Sequence, residues 1–338
     1  MVKANGYGHG MAEAAEAAIG GGASALAVAA ATEAFELRER FPKMPILLMG
    51  ALTGAELDVA LQARAELNVW REGFLGEVAE RAEMLGVRPR IHVKYDTGMG
   101  RLGERDPAVV SDLVDACAAE GRVELAGLWT HFATADEEDD AHLRDQLARF
   151  ADLAGSLRAR HPGLVLHAAN SAATLRGAEF HFDMVRCGVA IYGLDPFGLD
   201  PSSSGLAPAM SLHSYVADVK RYGAGDTVGY GRTWSAPGET LVGVVPVGYG
   251  DGFRRALGNR SGALVGGSRV PVVGTVSMDN LTVELGAGSE VAAGDPVVLM
   301  GSQGTESITA EDLARELGTI NYEVTCGFSM RVPRAYQR

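Results

Sequence analysis

From the N-terminus to about residue 190 the chain alternates short apolar runs, rich in Val, Ile and Leu, with longer stretches of helical periodicity. That alternation is the pattern of repeated βα units, which form a parallel sheet covered by helices. The spacing predicts strands near 1–5, 25–29, 45–49, 67–70, 90–94, 125–130, 164–168 and 182–186. Between them the periodicity is helical; over 141–158, Leu143, Leu147, Phe150 and Leu153 fall on one stripe. Eight strands, each feeding a helix or turn, fit a (β/α)8 TIM-type barrel better than an open doubly wound sheet, whose GxGxxG turn does not follow the first strand. The loop-forming run Pro201–Pro208 breaks the pattern, and beyond 209 alternating strand segments near 211–220, 240–247, 270–276 and 296–300 take over, with one helix near 308–317. The expected class is therefore α/β: a barrel domain over 1–205 followed by a mainly β C-terminal domain over 206–338.

With 338 residues, 47% of them apolar, the chain can bury two cores, and no apolar run approaches the roughly 20 residues that span a bilayer. A net charge of −13 argues against nucleic acid or an anionic membrane as a partner. Cys117, Cys187 and Cys326 are odd in number and far apart, so no disulfide framework and no metal site is expected. Together with the lack of a secretory pattern at the N-terminus, this points to the cytoplasm.

In a barrel of this kind, chemistry sits where strands end at the C-terminal rim. Several apolar runs end there in polar residues. Val2-Lys3 enters the glycine-rich turn Asn5-Gly-Tyr7-Gly-His9-Gly10, and His92-Val-Lys94 enters Asp96-Thr-Gly-Met-Gly-Arg101. Thr130-His131, Asn170-Ser171 and Arg186-Cys-Gly188 end three further runs. Singly, each has an ordinary reading: His131 as a satisfied core histidine, Asn170-Ser171 as a helix cap, Arg101 and Arg186 as ion-pair partners. Jointly they would open on one face. Lysine occurs only at positions 3, 43, 94 and 220, so any lysine chemistry has few candidates, and only Lys3 lies in a glycine-rich strand exit.

Val2-Lys3-Ala-Asn-Gly-Tyr7-Gly-His-Gly10 resembles the pyridoxal phosphate lysine motif of alanine racemases. The resemblance runs through nearly the whole chain in the family's order: Lys94–Arg101, Thr130–Asp136, Asn170-Ser171-Ala, Met184–Val189, Val228–Gly231, Gly248–Gly252, Ser277-Met278-Asp279, Asn321–Val324 and Arg331–Arg334. It implies a barrel followed by a β domain, assembled as a homodimer with shared active sites. The implied activity is interconversion of L- and D-alanine by a two-base pyridoxal 5'-phosphate mechanism, supplying D-alanine for peptidoglycan.

Carried over position by position, Lys3 resembles the lysine that bears the cofactor and acts as one base, on the D face. Tyr230 resembles the opposing base, supplied by the partner subunit. Two are needed, because racemisation takes a proton from one face of the α-carbon and returns one to the other. Arg186 matches the arginine facing the pyridine nitrogen, and His131 the residue bonded to the catalytic tyrosine. Tyr7, Asn170, Ser171, Gly188 and Val189 match the cofactor-binding set. Arg101, Met278, Asp279 and Tyr249 match the substrate side. Lys94 resembles a lysine that carries a carbamate; modified, it would turn repulsion with Arg101 into a charge-assisted hydrogen bond.

The chain departs from the family pattern in three places. Met330 stands where a tyrosine near the cofactor phosphate is common, and Thr275 where some members have an entryway arginine, although Arg255 and Asp136 are kept. The family places a strand and a helix before the lysine motif, so the native start is expected upstream of Met1. A racemase of serine or another small amino acid, and a non-catalytic pyridoxal phosphate-binding protein, are the alternative functions.

Overall fold

The computed structural model describes residues 1–337, which divide into two compact units, Met1–Ile191 and the described residues from Tyr192 onward. The division falls ahead of the Pro201–Pro208 run because the backbone of Ala209 bonds to Tyr192 and Asp195 bonds to Glu311, which ties residues 192–200 to the second unit.

The first unit is a curled parallel sheet in the order β1-β2-β3-β4-β5-β6. Its strands are β1 (Leu26–Val28), β2 (Ile46–Leu48), β3 (Glu66–Val69), β4 (Arg90–Lys94), β5 (Glu124–Trp129) and β6 (Val165–His167). Most of these strands are buried along their length, as expected of a parallel sheet with helices outside and a filled barrel within. The helices are α2 (Met11–Gly20), α3 (Ala31–Arg40), α4 (Gly54–Gln62), α5 (Glu72–Leu85), α6 (Pro107–Ala119), α7 (Ala141–Arg160) and α8 (Ser171–Arg176). Local chemistry sets their ends. Thr53 and Glu56 form a capping box on α4, Asp106 caps α6 ahead of Pro107, and Gly86 closes α5 in the left-handed conformation.

Two of the eight expected strands, 1–5 and 182–186, do not form ladders. In the first, Val2 donates its backbone N–H to Ala27 at 3.0 Å, and the chain then leaves the extended region in a left-handed turn, α1 (Lys3–Tyr7). In the second, left-handed Phe182 breaks the run, leaving one bridge between His167 and Met184 and backbone bonds from Asp183 to Leu166 and Arg186 to Ala169. These two segments still occupy the first and eighth positions: the Met1 amine donates to the Cys187 carbonyl at 2.9 Å, joining them. The unit is thus a barrel of six laddered strands closed by two irregular segments.

The second unit is mainly antiparallel β. Its large sheet runs β16-β15-β12-β13-β14-β11-β8, with β7 on the other edge of β15, and β9 and β10 form a small separate ribbon. The strands are β7 (Leu212–Tyr215), β8 (Asp218–Tyr222), β9 (Thr227–Val228), β10 (Trp234–Ser235), β11 (Thr240–Val245), β12 (Gly262–Val265), β13 (Ser268–Val273), β14 (Leu281–Glu284), β15 (Pro296–Gln303) and β16 (Glu306–Ile308). Two helices follow, α9 (Ala310–Leu317), capped by Thr309, and α10 (Asn321–Cys326). The expected strand at 211–220 is two strands, β7 and β8, which pair with different neighbours.

Candidate active site

Lys3 opens α1, where Ala4, Asn5, Gly6, Tyr7 and Gly8 all have positive φ. For residues with a Cβ this costs about 1–2 kcal/mol each, so the turn exists only because its surroundings impose it. The Asn5 side chain accepts from Met11 N–H at 3.0 Å, and Glu33 accepts from Ala4 N–H at 2.7 Å while also holding Ala29 and Ala30. Gly6 is favoured by its φ of +62° and by space, since a Cβ there would crowd the Ala14 methyl at 3.0 Å. The turn places Tyr7 against Gly188, where an added Cβ would lie 2.4 Å from the phenol oxygen. Ser171 Oγ accepts from Gly188 N–H at 2.8 Å and Ala190 N–H at 3.2 Å. Tyr7, Ser171, Gly188 and the buried start of the 3-10 turn Val189–Tyr192 therefore form one cradle around two hydroxyls, and the Ser171 hydroxyl, an acceptor from Gly188 and Ala190, keeps its own proton to donate to an anion. Asn170 flanks this cradle, its Oδ1 spent on capping α8 through Ala173 N–H at 2.9 Å.

Beside the cradle, Arg186 is buried and held by four contacts. Its Nη2 donates to the carbonyls of Thr130 and Ala168, both at 2.8 Å, and lies 3.3 Å from His131 Nδ1; its Nη1 donates to His167 Nδ1 at 2.9 Å. The guanidinium carbon lies 4.8 Å from the Trp129 ring centroid. Burial pulls its pKa down to about 9, so it remains a cation at neutral pH. Its Nε is buried without a hydrogen-bond partner among the described residues. A donor fixed this firmly and left unmatched can serve an acceptor from outside the chain, a water or a ligand.

His131 lies among cations. Burial, then Arg186, Arg101, Lys94 and Lys3, push its pKa well below the usual histidine range, so the ring is neutral. Because Arg186 can only donate, His131 Nδ1 is the acceptor and the ring proton sits on Nε2.

Lys94 ends β4 with 2% exposure, its Nζ 4.2 Å from the Trp129 ring centroid. Burial, then Arg101 and Arg186, lower its pKa to about 8. The loop that carries Arg101 is folded around Asp96, which accepts from Gly98, Met99 and Gly100 N–H at 2.7–3.1 Å. Gly98 and Gly103 both hold positive φ, and at Gly103 an added Cβ would also strike the Asp96 backbone at 2.9 Å.

In the second unit, Tyr230 is 73% exposed in the turn Tyr230–Arg232, and Thr275 Oγ1 donates to its carbonyl at 2.8 Å. Thr275 thus braces the tyrosine's backbone. The Tyr249 and Gly250 N–H groups donate to the Ser277 and Met278 carbonyls, a backbone approach so close that a Cβ on Gly248 would lie 2.3 Å from Ser277 O. Tyr249 and Met278 remain exposed. The Asp279 carboxylate is paired with Arg331 at 2.8 Å, which makes it a brace for the C-terminal segment; an anion would in any case repel a substrate carboxylate. The structure therefore gathers Lys3, Tyr7, Lys94, Arg101, His131, Ser171 and Arg186 within the first unit, with Tyr230, Tyr249 and Met278 on the second.

Several supporting residues escaped the sequence reading. Gln146, fully buried on α7, accepts from Ala133 N–H and donates to Thr97 Oγ1 and the His131 carbonyl, tying the histidine segment to the arginine loop. Its signal was a polar residue on an apolar stripe. Trp129, His92, His167 and Glu66 likewise lie inside the barrel, and the β4 alternation His92-Val93-Lys94 carried that signal, since residues two apart share a face.

The comparisons with known proteins cover both units. The family signature "Alanine racemase, N-terminal domain" matches residues 1–196 and "Alanine racemase, C-terminal domain" matches 209–336. The alanine racemase of Geobacillus stearothermophilus is 42% identical over 344 residues, covering 100% of this chain and 86% of its own; that of Desulforamulus reducens is 41% identical over 339 residues, covering 99% and 90%. Among solved structures, the alanine racemase of D-cycloserine-producing Streptomyces lavendulae superposes with a TM-score of 0.93 at 39% identity, covering 100% of this chain and 89% of that one. The enzyme from E. faecalis gives 0.92 at 39%, covering 99% and 90%. With both family domains matched in order and relatives 41–42% identical over nearly the whole chain, the chain belongs to the alanine racemase family.

Proposed function

We propose that this chain interconverts L- and D-alanine, using pyridoxal 5'-phosphate as cofactor and working in the cytoplasm as a homodimer. The observation that carries the reading is the buried Arg186, whose unmatched Nε lies on the same rim as Lys3 and the Tyr7–Ser171–Gly188 cradle. These residues fit the cofactor: the cradle suits its phosphate, Arg186 its ring nitrogen, and Lys3 its covalent attachment. When bound, the cofactor draws electrons from the α-carbon and makes its proton removable.

The protein supplies the proton traffic. Lys3 holds or releases a proton on one face of the α-carbon, and Tyr230 of a second chain does so on the other. His131, with its proton on Nε2, has the polarity to donate to the Tyr230 oxygen and stabilise the phenolate. Arg186, a permanent donor, keeps the ring nitrogen from taking a proton, which restrains the electron sink and discourages side reactions. Arg101 binds the substrate carboxylate together with the Met278 backbone of a second chain. Lys94 supports Arg101 as a carbamate: a pKa lowered to about 8 leaves a reactive fraction of neutral amine, which adds carbon dioxide and releases one proton. Exposure of Tyr230, Tyr249, Met278 and Met330 in a single chain supports a face covered by a second copy. The test is incubation of the purified chain and cofactor with L-alanine. D-alanine should rise to an equal mixture, and turnover of L-serine without turnover of alanine would overturn the substrate assignment.

A further inference from the structure

A continuous line of hydrogen bonds crosses the barrel core from Arg186 to the opposite end of the sheet. Arg186 Nη1 is 2.9 Å from His167 Nδ1, His167 Nε2 is 2.9 Å from His92 Nδ1, and His92 Nε2 is 2.7 Å from Glu66 Oε2. Chemistry fixes its direction. A guanidinium has no acceptor, so His167 Nδ1 must be bare; a neutral ring then carries its proton on Nε2. That proton needs a bare His92 Nδ1, which leaves the His92 proton on Nε2, facing the acceptor-only carboxylate. Any other placement sets two donors or two acceptors face to face in a buried site.

The surroundings are shaped for this line. His92 is 2% exposed and His167 fully buried, in a layer that barrels usually fill with branched aliphatics. Gly127 on β5 makes room for the His92 ring: a Cβ there would lie 2.3 Å from Nδ1, and the β4–β5 register shifts between Ile91 and His92. Trp129 stacks on His167 at 5.8 Å with an interplanar angle of 5°, and its Nε1 is tied to Asn68 at 2.9 Å. The far end is built to keep Glu66 ionised. Burial alone raises its pKa, but the bonds from His92 and Arg90 outweigh it and the net shift is downward. Glu66 also lines a cavity of about 540 Å³ whose charged walls are otherwise Arg38, Lys43, Arg64, Arg88 and Arg90.

We infer that Glu66, His92 and His167 form a positioning chain for Arg186, in which a carboxylate at the N-terminal end of β3 sets the tautomers of two buried imidazoles so that His167 presents a bare nitrogen to the guanidinium. This deepens the proposed function, on which it rests. Glu66 touches neither substrate nor cofactor; it keeps Arg186 from rotating its donors away from the ring nitrogen.

The test reads histidine tautomers by nitrogen NMR on the purified full chain labelled with 15N-histidine, with signals assigned through His167→Asn and His92→Asn. Both rings are expected to carry their proton on Nε2. In Glu66→Leu, His92 gains a population protonated on Nδ1, and kcat for alanine falls about tenfold with KM held within about twofold, as for a lost transition-state alignment. Lys43→Met removes a cation from the wall of the same cavity without touching the bonded line, and leaves tautomers and kcat unchanged. A proton on Nδ1 of either ring in the wild type overturns the inference, and that result does not depend on any variant folding. Glu66→Leu with wild-type kcat overturns it equally. Because tautomers are read without turnover, a chain with the expected protons but no racemisation would overturn the proposed function and leave the chain of bonds standing.

Discussion

Replacing Gly188 by alanine perturbs the phosphate cradle at a single atom. The added methyl would lie 2.4 Å from the Tyr7 phenol oxygen and 3.0 Å from its ring carbon, where ordinary contact begins at 3.4 Å. Tyr7 is 8% exposed, and the Gly188 N–H is bonded to Ser171 Oγ at 2.8 Å, so neither side yields without cost. The backbone of Gly188 has no positive φ, which makes the effect one of space alone. The phenol relieves the overlap only by leaving the cradle. Overpacking of this kind costs about 1–3 kcal/mol, which corresponds to roughly five- to 150-fold in affinity if the cost falls on the bound state. The assay is a cofactor titration followed by absorbance, beside thermal unfolding of the apoprotein. Gly76→Ala is the control: it lies within α5 with nothing within 4 Å of its added Cβ, and a helix-interior alanine gains up to ~1 kcal/mol there. Gly188→Ala should lose cofactor affinity while Gly76→Ala keeps it. Unchanged affinity in Gly188→Ala would refute the placement of the cradle.

Two other expectations follow from the charged and shared parts of the site. Between pH 8 and 10.5 the unfolded chain binds the Lys94 proton and the folded chain does not, so this group makes stability rise with pH across that window and costs ~3 kcal/mol below it. In buffer free of carbon dioxide, the stability of Lys94→Met relative to wild type should therefore be highest below pH 8 and fall as pH approaches 10.5, and bicarbonate should reduce it at pH 7–8 by loading the carbamate; a pH-independent difference in denaturant titrations would contradict this. Lys3→Ala and Tyr230→Phe chains, each nearly inactive, should recover about one quarter of wild-type activity when refolded together in equal amounts, since half the dimers are mixed and each holds one intact site under two-fold symmetry. No recovery in demonstrated mixed dimers would reject shared sites.

What the sequence made legible followed from periodicity and from glycine. Apolar runs located β1 to β6 because each buried strand is anchored by Val, Ile, Leu or Ala, even where β3, β4 and β6 also carry buried polar residues. The same rule failed at 1–5 and 182–186, where left-handed Ala4 and Phe182 break an otherwise strand-like run; a Cβ-bearing residue gives no local warning of such a conformation. The lysine turn and the Arg101 loop were readable because their glycines, Gly6, Gly98 and Gly100 among them, hold positive φ that side chains rarely adopt. Asn170 carried two readings, of which the cap is visible in the bond to Ala173. The line from Arg186 to Glu66 was not legible, because its members lie on β3, β4, β6 and the segment after Phe182, and only closure of the barrel brings them into contact.

The central claim is that one proton is exchanged on each face of alanine by a different residue, and solvent exchange at the α-carbon reads this directly. Tyr230→Phe protein with cofactor is incubated in deuterium oxide with L- or D-alanine, and deuterium uptake is followed by proton NMR. Racemisation should fall in both directions by about 10²–10⁴-fold. Exchange of D-alanine, served by Lys3, should survive far better than exchange of L-alanine. Equal loss of exchange from the two enantiomers would contradict the assignment of Lys3 and Tyr230 to opposite faces.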